Sequence, residues 1–327
     1  MADRLRYPES INPLMRIVSL LPAATEWVYA FGAEGCLVGR SHECDFPPSV
    51  QALPAVTRAT FSVEGDSAFI DGQVRERVQK GLSLYEVDLE HLRALRPDVI
   101  LTQAQCKVCA VSMPQLGAAL AEWTGTQPQV ISLAPYTLRQ ALDAALHLGK
   151  TLGYLDGAMR CISEAEGALS ALRRRLGLHK RSDPSGWPTV ACIEWMEPLM
   201  TAGHWMPDLA EMAGARTVLA EQGTRSAYVT WDVLHAADPD VLAIAPCGFT
   251  LDQTRCELAF LTERDGWNDL KAVQTDRVYL FDGNAYFNRP GPRLYRSIAL
   301  LAAALHPDKM ADFEVGAWEM ERLAEGV

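Results

Sequence analysis

Two stretches of this chain form a weak internal repeat: Leu92-Arg-Ala-Leu-Arg-Pro-Asp-Val-Ile100 and Leu234-His-Ala-Ala-Asp-Pro-Asp-Val-Leu242. In each, a helical pattern ends, Pro-Asp turns the chain, and an apolar run begins. Proline disfavours helix in the residue before it, so both stretches read as helix-to-strand connections. One copy falls in each half of a chain of 327 residues. That length is too great for one ordinary core and suits two of about 150 residues each. Pro-Asp-Val is a common connector on its own; the matching order of elements around the copies is what favours a duplication.

Around the first copy, apolar runs predict strands near 16–21, 37–41, 98–102 and 129–134. Helical periodicity predicts helices near 23–31, 67–80, 88–96 and 113–122. Around the second, strands are predicted near 189–195, 241–246 and 277–281, with helices near 206–213, 251–264 and 292–305. Such alternation is the mark of βαβ units and a parallel sheet. Between the halves, 138–178 is helical throughout except at Gly153-Tyr-Leu-Asp-Gly157. A helix of 20 residues spans about 30 Å and resists bending, so this stretch reads as a rigid link. The expected fold class is α/β: two Rossmann-like lobes with parallel sheets, joined by a long connecting helix, with a ligand cleft between the lobes. The expected boundaries are 1–136, a connecting segment over 137–178, and 179–327.

The formal net charge is -11. An acidic surface repels phosphate backbones, which argues against nucleic acid as a partner. Residues 1–16 are polar and carry two prolines, and the apolar run after them is too short for a signal-peptide core. No run approaches the roughly 18 apolar residues of a membrane span, so no membrane insertion is expected. The chain as given therefore reads as cytoplasmic, or periplasmic if a signal was removed.

Eight cysteines in a reducing compartment are not expected to form disulfides. Cys36, Cys161, Cys192 and Cys256 sit in apolar patterns and read as core. The other four follow strand ends: Cys44 after 37–41, Cys106 and Cys109 after 98–102, and Cys247 after 241–246. Ligands gather outside the carboxyl ends of parallel strands. Four thiolates there suit zinc or an iron–sulfur cluster. A redox pair or unliganded pocket cysteines are the other readings of the same residues. His42, two residues from Cys44, is the substitute metal ligand, against the plainer reading of a hydrogen-bonded structural histidine.

Aromatic and polar residues crowd the same strand ends. Glu194 and Trp195 close one strand; His204 and Trp205 precede a helix; Tyr136, Tyr228, Trp231, Phe249, Tyr286 and Phe287 fall in loops. A large, flat, partly apolar ligand needs such walls. About half of these aromatics are expected to face it, the rest to plug sheet–helix interfaces. Phosphate-loop, dinucleotide, zinc-protease and nucleophile-elbow signatures are all missing from the chain, which favours binding over catalysis.

Arg16-Ile-Val-Ser-Leu-Leu-Pro-Ala-Ala-Thr-Glu26 resembles the opening of the helical-backbone (class III) substrate-binding proteins. Leu37-Val-Gly-Arg-Ser-His-Glu-Cys-Asp-Phe-Pro47 resembles their cobalamin-binding (BtuF-like) branch. So does the stretch from Asp276-Arg-Val-Tyr279 to Asn288-Arg-Pro-Gly-Pro-Arg-Leu294. The resemblance runs from about residue 15 to 307. It implies two α/β lobes, a rigid connecting helix, a ligand held between lobes and delivery to an ABC transporter. The superfamily also carries iron–siderophores, haem and metal ions. This chain departs from the pattern in lacking a readable export signal and in carrying the cysteines at 44, 106, 109 and 247. Two functions follow. One is a binding protein for cobalamin, a related corrinoid or another metallocofactor. The other is a cytosolic iron–sulfur or zinc protein with redox or cofactor-processing activity on the same fold.

Overall fold

A computed structural model describes residues 15–80, 82–103, 126–178 and 183–323, together with Leu116, Gly117, Leu120 and Trp123. In chain order the first elements are β1 (Ile17–Ser19), α1 (Pro22–Ala30), β2 (Leu37–Arg40), β3 (Thr57–Ala59), α2 (Ser67–Gln79), β4 (Tyr85–Val87), α3 (Leu89–Ala94), β5 (Val99–Thr102) and β6 (Gln129–Ser132). Two long helices follow, α4 (Leu138–Leu152) and α5 (Leu155–Leu176). Next come β7 (Thr189–Trp195), β8 (Met200–Thr201), α6 (Met206–Met212), β9 (Arg216–Thr217), β10 (Ala227–Tyr228), α7 (Trp231–Ala237) and β11 (Val241–Ile244). The last described elements are α8 (Leu251–Cys256), α9 (Ala259–Thr262), α10 (Lys271–Gln274), β12 (Val278–Phe281), α11 (Leu294–Leu305) and β13 (Met320–Arg322). The helix expected near 113–122 lies largely outside the described residues.

The described residues divide into two compact units. The first draws on 1–60, 85–134 and 142–163; the second on 61–84, 135–141 and 164–327. The stretch expected to be a separate connector is thus shared out between units, and 61–84 packs with the second. The long helical stretch breaks where glycine was noted: Gly153 takes φ +79° between α4 and α5. That left-handed conformation is open to glycine without a Cβ penalty.

The first unit is built on the sheet β2-β1-β5-β6, parallel throughout. Val18 pairs with Ile100, and both are fully buried. At the entry to this sheet, Asp98 Oδ2 accepts from the Arg16 backbone N–H at 2.8 Å. A separate antiparallel pair, β3 with β4, brings Thr57 opposite Val87.

The second unit has the order β10-β8-β7-β11-β12-β13, with β9 also beside β7. Its parallel part, β9-β7-β11-β12, repeats the order of the first sheet. Asp240 stands where Asp98 does: its Oδ2 accepts from Thr189 N–H at 2.7 Å at the start of β7. Along β7, Val190 and Cys192 enter one core cluster while Ala191 and Ile193 enter another. Apolar residues on both faces are what a sheet covered by helices on each side requires. The wholly parallel sheet expected here is corrected at its margins. β8 pairs antiparallel with β7, β10 antiparallel with β8, and β13 antiparallel with β12, and two or three residues are too few to leave a periodic signal.

Two of the cysteines expected in the core are not enclosed. Cys36 and Cys192 are buried, but Cys161 is half-buried and Cys256 is exposed. The helix expected over 251–264 is two short helices. The buried residues of the first are Leu251 and Thr254, which leaves Cys256, two positions on, turned away from the core.

Candidate functional site

In the second unit, Glu194 and Trp195 close the carboxyl end of β7, both half-buried. Trp195 is half-buried, its ring packed edge-on against Phe249 at 5.2 Å between centroids. Its indole N–H donates to the Ser67 carbonyl at 3.2 Å. Beside it, Glu194 Oε2 accepts from Ser226 Oγ at 2.5 Å. Ser226 Oγ also accepts from Gly203 N–H at 3.1 Å and lies 3.4 Å from His204 Nδ1. Having given its hydrogen to Glu194, the hydroxyl meets His204 as an acceptor, which places the proton of the imidazole on Nδ1.

The backbone delivers His204 to this position by close packing. A Cβ on Gly203 would stand 2.6 Å from the carbonyl carbon of Arg225 and 2.7 Å from Ser226 N, so only glycine fits. His204 itself takes φ +53°, a strained value for a residue with a side chain. Tyr136 stacks on its ring at 5.4 Å. Burial, followed by the charge of Arg225, lowers the His204 pKa below its ordinary value.

The first unit has a comparable group. His42 lies two residues past β2, half-buried, with Nδ1 2.8 Å from Thr57 Oγ1. Its ring is tilted against Tyr85 at 5.6 Å, and Tyr85 donates to Glu43 Oε1 at 3.0 Å. Here too burial, then a nearby arginine, Arg40, lowers the pKa.

Several residues expected to face a ligand are instead core. Trp205 is 7% exposed and its indole N–H donates to the Phe287 carbonyl at 2.6 Å. Tyr286 is 5% exposed and donates to Glu319 Oε1 at 2.7 Å. Phe287 meets Phe281 edge-on at 4.9 Å. Their polar ends are satisfied inside the protein and their rings fill the space against α11, so these three are corrected to packing roles. Phe249 is buried too and acts as the support of Trp195. Tyr228 is exposed, donating to Asp71 Oδ1 at 3.2 Å beneath Arg75. Trp231 donates to the Asp265 carbonyl and stacks on Trp267.

Of the four cysteines proposed as metal ligands, Cys106 and Cys109 lie outside the described residues. Cys44 is 1% exposed. Its sulfur accepts from Thr25 Oγ1 at 3.1 Å and donates to the Ser19 carbonyl at 3.8 Å. Cys247 is half-buried, its backbone N–H held by the Glu194 carbonyl. Among the described residues, no three or more His, Cys, Asp and Glu side chains gather to hold a metal ion. Ser226 and Thr57, the hydroxyls that orient the two imidazoles, were not legible in the sequence, because each acts across non-local contacts with no motif around it.

Parallel sheets in two units, with aromatic and imidazole side chains at the carboxyl edges of their strands, define a protein of the solute-binding class. The chain belongs to the periplasmic binding protein family, whose profile matches residues 17–285. It is 23% identical over 299 residues to an uncharacterized ABC transporter substrate-binding lipoprotein, YvrC of Bacillus subtilis, covering 90% of this chain and 80% of that one. Among solved structures it resembles a periplasmic heme binding protein from Pseudomonas aeruginosa, with a TM-score of 0.65 and 23% identity over 90% of this chain and 93% of the other. It also resembles the periplasmic vitamin B12 binding protein BtuF of Vibrio cholerae, with a TM-score of 0.59 and 19% identity over 92% and 99%. These relatives are lipoprotein or periplasmic proteins, and they lend the cytoplasmic expectation no support. Among the described residues, no helix is long and apolar enough to cross a membrane.

Proposed function

We propose that this chain binds a corrinoid, or a related planar metal chelate, and presents it to an ABC transporter. The observation that carries this reading is the half-buried group at the end of β7: the Trp195 face, backed by Phe249, beside Glu194, His204 and Tyr136. An indole face with ordered polar groups next to it suits a flat ligand with an apolar body and polar rim substituents. Family membership supports solute capture, and the ligands for which two structural relatives are named, vitamin B12 and heme, are both planar metal macrocycles.

Titration calorimetry with cyanocobalamin, cobinamide and haemin tests the proposal. One of the three is expected to bind at one-to-one stoichiometry with micromolar affinity or better. No heat with any of them would overturn the reading.

A further inference from the structure

Helix α2 belongs to the second unit but is held there by little apolar packing. Ser67 is its one buried residue. Ile70 and Val74, on the same face, are half-buried, and Phe69 and Val78 are exposed. A helix that packs into a core buries a wide apolar stripe, and α2 has no such stripe. The contacts that hold it are polar and recur every four residues. The Ser67 carbonyl accepts from the Trp195 indole N–H at 3.2 Å, and Asp71 Oδ1 accepts from the Tyr228 hydroxyl at 3.2 Å. Arg75 pairs with Asp71 Oδ2 at 2.7 Å and lies over the Tyr228 ring at 5.0 Å. Residues four apart share a helix face, so Ser67, Asp71 and Arg75 form one row set against Trp195 and Tyr228.

Such a row binds weakly. Each hydrogen bond replaces one made with water, so its net contribution is small. Arg75 and Tyr228 are exposed, which weakens their contact further. Ser67 Oγ is buried and finds no hydrogen-bond partner among the described residues, a cost carried by the docked helix. Gly72, in the interior of α2, weakens the helix itself. Elements with few buried apolar contacts open locally before the rest of a fold does. We propose that α2 is a strap that opens and closes on the end of β7 while the rest of the unit stays folded, and that its closure through Asp71, Arg75 and Tyr228 fixes the orientation of the Trp195 indole. Closed, the strap holds the indole N–H; open, the ring keeps its contact with Phe249 alone among these partners. A macrocycle stacked on Trp195 selects the closed strap, a consequence that rests on the function proposed above.

Hydrogen exchange of the intact chain, read by mass spectrometry, tests the strap. Amides of 67–79 are expected to exchange faster than those of β7 and β11, at a rate that low urea leaves unchanged, because local opening exposes little surface. Tyr228→Phe keeps the ring under Arg75 and removes the hydrogen bond to Asp71. It should speed α2 exchange about tenfold without changing exchange in β11. Trp195→Phe, which removes the indole N–H, should speed α2 exchange in the same way, and Gly72→Ala should slow it. Exchange of α2 at the rate and urea dependence of β11 would overturn the proposal, as would α2 exchange unaltered by both Tyr228→Phe and Trp195→Phe. Whichever of cyanocobalamin, cobinamide and haemin binds in calorimetry should slow α2 exchange, and a bound macrocycle that leaves it unchanged would overturn the link between strap and ligand. Binding of none of the three would overturn the proposed function, and the exchange of the ligand-free variants decides the strap separately.

Discussion

The two units share a four-strand parallel plan and differ in how firmly they are tied at its entry. In the first, Asp98 is exposed and its carboxylate holds the backbone N–H of Arg16. In the second, Asp240 holds both the N–H and the hydroxyl of Thr189 and pairs with Lys271. Burial pushes the Asp240 pKa up, but the Lys271 and Thr189 hydrogen bonds outweigh it and bring the value to about 2. The residues before the two Pro-Asp pairs, Arg96 and Asp238, both take positive φ, +44° and +37°. The same positive-φ turn stands in both stretches, while the wider hydrogen-bond and charge network surrounds only the second.

The largest expected effect separates the aromatics of the second unit by role. Trp205→Ala should cost about 3–5 kcal/mol of stability, as truncation of a buried aromatic does. Trp195→Ala should cost less stability than that, through loss of the Ser67 hydrogen bond and the Phe249 contact, and weaken macrocycle binding by about 2 kcal/mol. Urea unfolding and calorimetry on the same two variants distinguish packing from binding. A strong binding defect in stably folded Trp205→Ala would reverse the assignment.

Close backbone approaches come next, one in each unit. A Cβ on Gly157 would collide with the Phe31 carbonyl oxygen, and one on Gly203 with the Arg225–Ser226 backbone. Both alanine substitutions should destabilise by roughly 1–3 kcal/mol, since backbone cannot yield as a flexible side chain does. Only Gly203→Ala should also weaken binding, through His204 and Ser226. Gly72, in the interior of α2, has open space around it, so Gly72→Ala should stabilise by about 0.5–1 kcal/mol.

The aspartate pair gives a smaller difference. Asp240→Ala should lower stability at neutral pH by about 2 kcal/mol, through loss of charge-assisted hydrogen bonds. Asp98→Ala should cost less than half as much. Because the Asp240 pKa is depressed in the folded state, its contribution is present above about pH 4 and disappears as pH falls through about 2. Equal losses in the two variants would show that the tighter network adds nothing.

The smallest effect is the response to mild acid. His42 in the first unit and His204 and His306 in the second all have pKa values lowered below 6.5, with burial the largest cause. The unfolded chain then takes up protons first on acidification. Stability is fully present above pH 6.5 and should fall as pH drops through that value. Unfolding midpoints measured between pH 7.5 and 5 should decline, and a flat profile would contradict the buried, neutral assignment.

The long apolar runs were legible because burial on both faces leaves an uninterrupted hydrophobic stretch: 189–195 and 98–102 are strands almost to the residue. The place of 61–84 was not. It depends on the Trp195 indole reaching Ser67 and on Tyr228 meeting Asp71 and Arg75, pairs more than a hundred residues apart in sequence. The site was half legible for a related reason. His42, Glu194, Trp195 and His204 stand at strand ends as read, but Trp205, Tyr286 and Phe287 have the same loop-and-polar-neighbour signature and are buried. Sequence shows that an aromatic follows a strand; whether its polar end finds a partner inside depends on residues such as Glu319 that only the fold brings near.

The most direct measurement of the central claim is equilibrium dialysis of the purified chain against a mixture of cobinamide, cyanocobalamin, haemin and free Zn²⁺ and Fe²⁺, with the retained species read by mass spectrometry and metal analysis. Retention of a macrocycle at one per chain, with the free ions washed out, is the expected result. Retention of a free metal ion with no macrocycle would contradict it.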